Sequence, residues 1–361
     1  MLDAIPAAPA GDFFAPSEAP ATQHHTAQFS GRAGEYFGIW FVNLLLSIIT
    51  LGIYSAWAKV RTERYFYANT SLAGATFEYL ASPIAILKGR LIAYAVVIAL
   101  GLSSRFSPGL YLLLIVGVGA MMPALITWSL RFRARNSAWR GLTFRFDNGA
   151  PEAYGPFMLW AWISGLTASL LYPAMKRRQH EFVVEGHRYG VKRFRFLGTT
   201  GQYYGPYLVV AGTMVGGLIL LGVVTAMLSD SGLVGKQALG AGMAFGLLAF
   251  YLVFFALIIM MRVRYTNLMW NYTRLGEHRF ASTLRVRDLL WIYASNLVAV
   301  LFTVGLAAPW AMVRLARYRA EHFTLIASGE LDEFVAASES RAGAAGAELV
   351  DALDAGMDFG L

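Results

Sequence analysis

Eight residues of one apolar stretch return in order, and without a gap, 253 positions later in the chain. Asn43, Thr50, Gly52, Trp57, Val60, Arg61, Arg64 and Tyr65 recur as Asn296, Thr303, Gly305, Trp310, Val313, Arg314, Arg317 and Tyr318. Each copy is an apolar run of helical length, entered through an asparagine and left through an aromatic followed by arginines. Apolar surroundings do not tolerate a guanidinium, so each run must end where a polar phase begins. The spacing therefore points to a chain built from repeated membrane-embedded units.

Composition agrees. Of 361 residues, 57% are hydrophobic and only 14% charged, and the mean hydropathy is +0.50. Soluble domains carry about 25% charged residues, so much of this surface is solvated by something other than water. Cysteine is absent, which excludes disulfides, thiolate metal sites and cysteine nucleophiles. The net charge of +8 conceals a division: residues 1–30 hold three acids and no base, and residues 330–361 hold eight acids against Arg341. The middle of the chain is strongly basic, as expected of loops facing anionic lipid, and nucleic acid is the lesser candidate.

Three regions follow. Residues 1–28 form an Ala/Pro-rich lead expected to be disordered, with His24 and His25 solvated and no signal-peptide pattern. Residues 29–334 form the membrane domain. Residues 335–361 read as a disordered acidic tail in which Leu349, Val350 and Leu353 offer at most a short amphipathic stretch.

Seven apolar segments lie in the membrane domain, near 38–58, 91–103, 108–130, 156–173, 206–228, 238–261 and 289–313. A span needs roughly 20 apolar residues; the second reaches that length when extended back toward Ile84, with Lys88 and Arg90 snorkelling. Segments two and three, and five and six, are joined by short loops and read as helical hairpins. Segments one, four and seven stand alone. A second motif lies between them: Asn69–Tyr79 (NTSLAGATFEY) matches Asn136–Phe146 (NSAWRGLTFRF), with looser versions at Glu185–Phe196 and Asn271–Phe280. Alternation of Phe with a second aromatic after a glycine predicts short, half-buried strands. The fold expected is thus an all-α polytopic membrane protein with about seven apolar segments, two of the pairs forming hairpins and three segments spanning or re-entrant, accompanied by short repeated juxtamembrane β-strands.

The run from Phe29 to Tyr79, with its Thr50-Leu-Gly-Ile-Tyr…Trp-x-x-x-Arg61 signature, resembles the YjgN family of bacterial inner-membrane proteins, a family of unknown function. The likeness extends from about Phe29 to Phe334. It implies a multi-pass protein of the bacterial inner membrane and carries over no reaction, ligand or catalytic residue. The second copy departs from the signature at Val304 and at Ala307 to Pro309.

Basic residues weigh the topology. If all seven segments cross, the 26 lysines and arginines following the membrane runs divide equally between the two sides. If segments one, four and seven dip in and return, all 26 fall on one side, facing only Arg105 and Lys236 on the other. The second arrangement satisfies the positive-inside rule and is the one favoured. It needs turns near Thr50–Gly52, Ser164-Gly165 and Thr303–Gly305, shielded by protein or a wet cavity.

No catalytic constellation is found. Acids are absent from the apolar runs, His180-Glu181 lacks the second histidine of a metallopeptidase helix, and no phosphate loop, nucleophile elbow or metal-ligand cluster occurs. An enzyme is not expected, and neither is a cofactor or metal. Gly242-x-x-x-Gly246 marks close helix packing. The candidate site residues are polar positions within the apolar runs. Asn43, Ser47, Thr50, Asn296 and Thr303 either bond to helix backbone as structural glue or line one polar cavity. Trp57, Arg61, Arg64, Trp310, Arg314 and Arg317 sit at the depth of lipid phosphates, as topology determinants and as candidate headgroup ligands. Two functions survive: a lipid- or envelope-associated structural module whose partner is the anionic phospholipid bilayer, and a transporter or channel with inverted repeats.

Overall fold

The computed structural model of the protein describes residues 22–230, 236–329 and 331. The chain enters through β1 (Thr22–Thr26) and β2 (Gln28–Phe29), and then alternates helical hairpins with β-hairpins. The order is α1 (Ala33–Ile49), α2 (Ser55–Ala68), β3 (Thr70–Leu72), β4 (Ala75–Tyr79), α3 (Pro83–Phe106), α4 (Pro108–Arg135), β5 (Ser137–Trp139) and β6 (Leu142–Phe146). There follow α5 (Ala150–Tyr154), a π-helical turn (Gly155–Leu159), α6 (Trp160–Leu166), α7 (Tyr172–Gly186), β7 (His187–Tyr189) and β8 (Lys192–Phe196). The last third holds α8 (Thr200–Asp230), α9 (Lys236–Asn271), β9 (Thr273–Leu275), β10 (His278–Ser282), α10 (Val286–Phe302), α11 (Ala308–Glu321) and β11 (Phe323–Ser328).

The glycine of the recurring strand motif makes the β-hairpins. β3 turns into β4 through Ala73 and Gly74, and β5 into β6 through Arg140 and Gly141, all four residues with positive φ. That is the two-residue type I′ loop, whose twist matches that of paired strands. Each β-hairpin pairs antiparallel with the next, so the strands merge into one eleven-stranded sheet in the order β1-β11-β10-β9-β8-β7-β6-β5-β4-β3-β2. Its two end strands are separated in sequence only by Ala27, whose N–H donates to Phe323 O at 2.8 Å. β1 pairs with β11 and β2 with β3, so the sheet curls back on itself into a barrel joined through the N-terminal segment.

This corrects the expected fold class. The strands are not short accessories to an all-α protein; together they form a barrel-like sheet. They are three to six residues long, β2 apart, and gain their backbone partners only from one another across long sequence distances, a property no single window displays. Residues 22–28, expected to be a structureless lead, supply β1 and the start of β2. The remainder of that lead and the acidic tail from 332 onward lie outside the described residues.

The expectation of seven apolar segments is corrected as well. Four helices, α3, α4, α8 and α9, are long and apolar enough to cross a membrane. The other three segments are broken. In the first, Leu51 and Gly52 take positive φ, and Gly52 N donates to Ser47 O at 2.7 Å; in the last, Val304 and Gly305 do the same, with Gly305 N bonded to Val300 O at 2.8 Å. Between α6 and α7, Ala168 and Ser169 have positive φ, and Ser169 N reaches Ser164 O. These are helix stops in which a left-handed residue redirects the chain and satisfies orphan carbonyls. The helix before each stop packs against the one after it, so 38–58, 156–173 and 289–313 turn back toward the barrel they left.

Five helical hairpins therefore stand on one rim of the barrel. Consecutive hairpins touch through α2 and α3, α4 and α5, α7 and α8, and α9 and α10, and α11 packs on α1 to close the ring. Tyr36 Oη donates to Met312 Sδ at 3.6 Å, and Arg317 donates to Gly31 O at 3.0 Å, across that last seam. Above the ring the long hairpins bury little. The most apolar windows of α3 and α8 contain no buried residue, and those of α4 and α9 only 11%. The Leu221 side chain packs onto Gly246, where an added Cβ would require Leu221 to shift.

Candidate functional site

Alternation along short strands sends every second side chain inward, and inside this barrel many of those side chains are aromatic. Phe77, Trp139, Phe144, Tyr189, Phe194, Phe280 and Phe323 face a cavity of about 820 Å³. Rings follow one another around the wall: Phe77 on Trp139 (6.2 Å between centroids), Trp139 on Tyr189 (5.6 Å), Tyr189 on Phe144 (5.0 Å), and, further round, Phe194 on Phe280 and Phe280 on Phe323 (both 5.9 Å). Such edge and offset pairs add to the area they bury. Two of the polar side chains in this wall are engaged, while the buried Trp139 Nε1 has no hydrogen-bond partner among the described residues. Tyr189 Oη donates to Trp139 O at 2.8 Å, and His278 Nδ1 accepts from Ser328 N at 3.2 Å. Burial is the main cause that lowers the His278 pKa below its usual value, which suits the neutral ring that this bond requires.

The upper part of the cavity is built by helices. Ile259, Arg262, Val263, Thr266 and Trp270 fall on one face of α9, joined by Leu289 and Tyr293 of α10 and Arg319 of α11. Arg319 donates to Tyr293 Oη at 3.2 Å. Arg262 and Arg319 form no ion pair among the described residues. On α7, burial foremost, and then the Arg262 charge, push the Lys176 ammonium below its ordinary range. A volume of this size lies within the roughly 300–1,000 Å³ typical of small-ligand sites. An aromatic floor and two guanidinium groups without an acidic partner among the described residues, at the foot of the membrane helices, can receive an apolar body with an anionic end.

The residues singled out from the sequence sit elsewhere. Asn43 and Asn296 are both buried, and each donates across its own helical turn, Asn43 to Ala58 O (3.5 Å) and Asn296 to Ala311 O (3.3 Å). Ser47 donates to Asn43 O. Thr50 donates to Leu46 O and accepts from Tyr54 N, and Thr303 donates to Ala299 O and accepts from Ala307 N. All five fasten helical turns, and none lines the barrel cavity. Trp57 and Trp310 are exposed at their helix starts, Trp57 stacked on Tyr54 and Trp310 under the Arg314 guanidinium at 5.1 Å. Arg61 and Arg64 are exposed. Arg314 turns inward to Ser295 Oγ (2.6 Å) and Asn296 Oδ1 (3.1 Å), and with Arg317 it edges a surface groove beside Trp291.

Sequence reasoning missed the cavity residues as a site. The signal was present in the Phe-x-aromatic alternation, which gives one inward face per strand, but their convergence depends on the closure of the sheet.

Comparison with known proteins follows this geometry. Residues 24–352 match the family described as bacterial protein of unknown function (DUF898). The inner membrane protein YjgN of Salmonella typhimurium (strain LT2) is 25% identical over 362 residues, covering 86% of this chain and 90% of that protein. YjgN of Escherichia coli K12 is 49% identical over a stretch of 55 residues, 15% of this chain and 14% of the other. No solved structure matches.

Proposed function

The chain belongs to the DUF898 family and, like its YjgN relatives, is a protein of the bacterial inner membrane; on that premise we propose that it is a lipid-associated membrane module whose barrel takes up an amphiphile from the bilayer. The observation that carries this reading is the cavity itself, with aromatic walls, a helical roof at the membrane surface, and Arg262 and Arg319 without acidic partners among the described residues. The exposed apolar faces of α3, α4, α8 and α9 support it, because bilayer lipid fills the space that protein does not. Anionic phospholipid is the partner we assign to the exposed arginines, each basic group near an anionic surface contributing about 1 kcal/mol.

The same reading takes the helical hairpins as versions of one unit. Asn43 with Ala58 is matched by Asn296 with Ala311, and the Tyr65 hydroxyl on Arg32 N by the Tyr318 hydroxyl on Arg285 N. On this reading segments one to three and four to six are not inverted copies, because the fourth segment folds back, and that favours the lipid-associated module over an inverted-repeat transporter.

The test is photolabelling in native membranes with a diazirine-bearing fatty acid. Labels on peptides containing Phe144, Phe194 or Phe280 that vanish when the barrel is filled by Ala27→Phe and Leu325→Trp are the expected result. Labels confined to the outer faces of α3, α4, α8 and α9, unchanged by filling, would overturn the proposal.

A further inference from the structure

The residues between the inward aromatics point outward, and over half the barrel they are arginines. Arg145 of β6 stands opposite Arg188 of β7, which stands opposite Arg193 of β8. Two residues further along β8, Arg195 is opposite Arg274 of β9, which is opposite Arg279 of β10. Six guanidinium groups thus cross five adjacent strands, at about 4.8 Å per strand. Like charges placed directly opposite destabilise a sheet, so this arrangement gains nothing from the barrel's own folding. Asp147 offsets the first triad, reaching Arg188 at 3.4 Å and Arg193 at 3.2 Å. The second triad forms no ion pair among the described residues. Across the barrel the outward positions include Glu78 of β4, Ala138 of β5, Thr324 and Ile326 of β11 and His24 of β1, with no lysine or arginine among them.

We propose that this basic wall is a docking track for an acidic polypeptide, and that its occupant is the chain's own segment 332–361. That segment holds seven acids against Arg341, and Glu348, Asp351, Asp354 and Asp358 recur at intervals of three or four residues. It follows β11, the neighbour of β10, where the unpaired triad begins at Arg279. The roughly twenty residues between Ser328 and Glu348, at about 3.3 Å each when extended, exceed the width of five strands several times over. A covalent tether places the acids at millimolar effective concentration. Nucleic acid is the weaker occupant. The outward residues that share this wall, Thr143 and Ala281, offer no ring on which bases could stack.

Spin labels on Ala281→Cys and Ala352→Cys of the full, otherwise cysteine-free chain in nanodiscs test this. The expected result is a narrow, short-distance population in the unaltered background. It should give way to a broad, long-distance one in Glu348→Lys/Asp351→Lys/Asp354→Lys, and return when Arg195→Glu, Arg274→Glu and Arg279→Glu are added. The lysine changes replace none of the described residues, so the barrel's own contacts are kept in that variant. A second pair with Thr76→Cys on the neutral wall should stay long throughout. A broad distribution in the unaltered background, or a short one that survives the lysine changes, overturns the proposal. So does a wall that retains a fluorescent oligonucleotide while the tail label is broadly distributed.

Discussion

The first and last helical hairpins share a scaffold and treat one arginine differently. In both, a buried asparagine ties the two helices together, a threonine side chain braces the stop, and a glycine with φ near +90° reverses the chain. In the last hairpin Arg314 folds inward, held by Ser295 and by Asn296 Oδ1. In the first, Val42 stands at the position of Ser295 and Arg61 stays exposed, and the Asn43 Oδ1 is buried without a hydrogen-bond partner. One hydroxyl thus separates an arginine that serves the fold from one that stays exposed. Identical motif positions need not share a role.

The largest break in the comparison comes from deleting those arginines. Arg314→Ala should lower the unfolding free energy by about 1.5–3 kcal/mol, the range for hydrogen bonds to charged groups, whereas Arg61→Ala stays within about 0.5 kcal/mol. Unfolding in mixed micelles checks both, and equal losses would dissolve the distinction. Next in size is lipid retention. Arg61→Gln with Arg64→Gln should cost about 2 kcal/mol of anionic-lipid affinity at about 1 kcal/mol per charge. Arg314→Gln should leave the bound-lipid spectrum in native mass spectrometry nearly unchanged. The shared turn should respond alike at both ends of the chain. Gly52→Ala and Gly305→Ala are each expected to cost about 1–2 kcal/mol, because a Cβ is strained at φ +90° and +93° even though open space surrounds both sites. The smallest change sharpens the comparison. Val42→Ser should draw Arg61 toward Asn43 and stabilise the first hairpin by up to about 1 kcal/mol, with a matching drop in retained lipid.

The third short hairpin differs in kind, because it carries a histidine. His180 Nδ1 lies 2.7 Å from Tyr203 Oη, and burial, with the Lys176 charge second, holds its pKa down to about 3. The folded state thus keeps a neutral ring that the unfolded chain protonates near pH 6.5. Stability present above that pH should fall by about 1.4 kcal/mol for each unit of acidification from there toward 3. His180→Gln should flatten the slope in acid-unfolding curves.

Much of the local structure was legible in the sequence. The asparagine, threonine, glycine and aromatic of the long-range motif each have a local job in one helical turn, so their spacing survives in a linear reading. The Gly-centred strand motif likewise encodes two-residue β-turns. What the sequence withheld was assembly. Trp139 meets Phe77 and Tyr189 only because β5 lies between β4 and β6 and Tyr189 reaches across from β7, and no window holds all four strands. The cavity depends on those non-local pairings, so Asn43 and Asn296, conspicuous in an apolar run, drew attention away from ordinary phenylalanines in short strands.

The junction at Ala27 also dictates an order of events during synthesis. Of the described strands, β1 and β2 are made before the rest; β2 meets β3 soon after, but β1 must wait for β11, about 300 residues later. At about 5–20 residues per second, β1 spends on the order of 15–60 s with an open edge. An unpaired edge is a template for pairing with other chains. Two histidines and polar Thr22, Gln23 and Thr26 occupy that strand, so the waiting edge carries no apolar side chain.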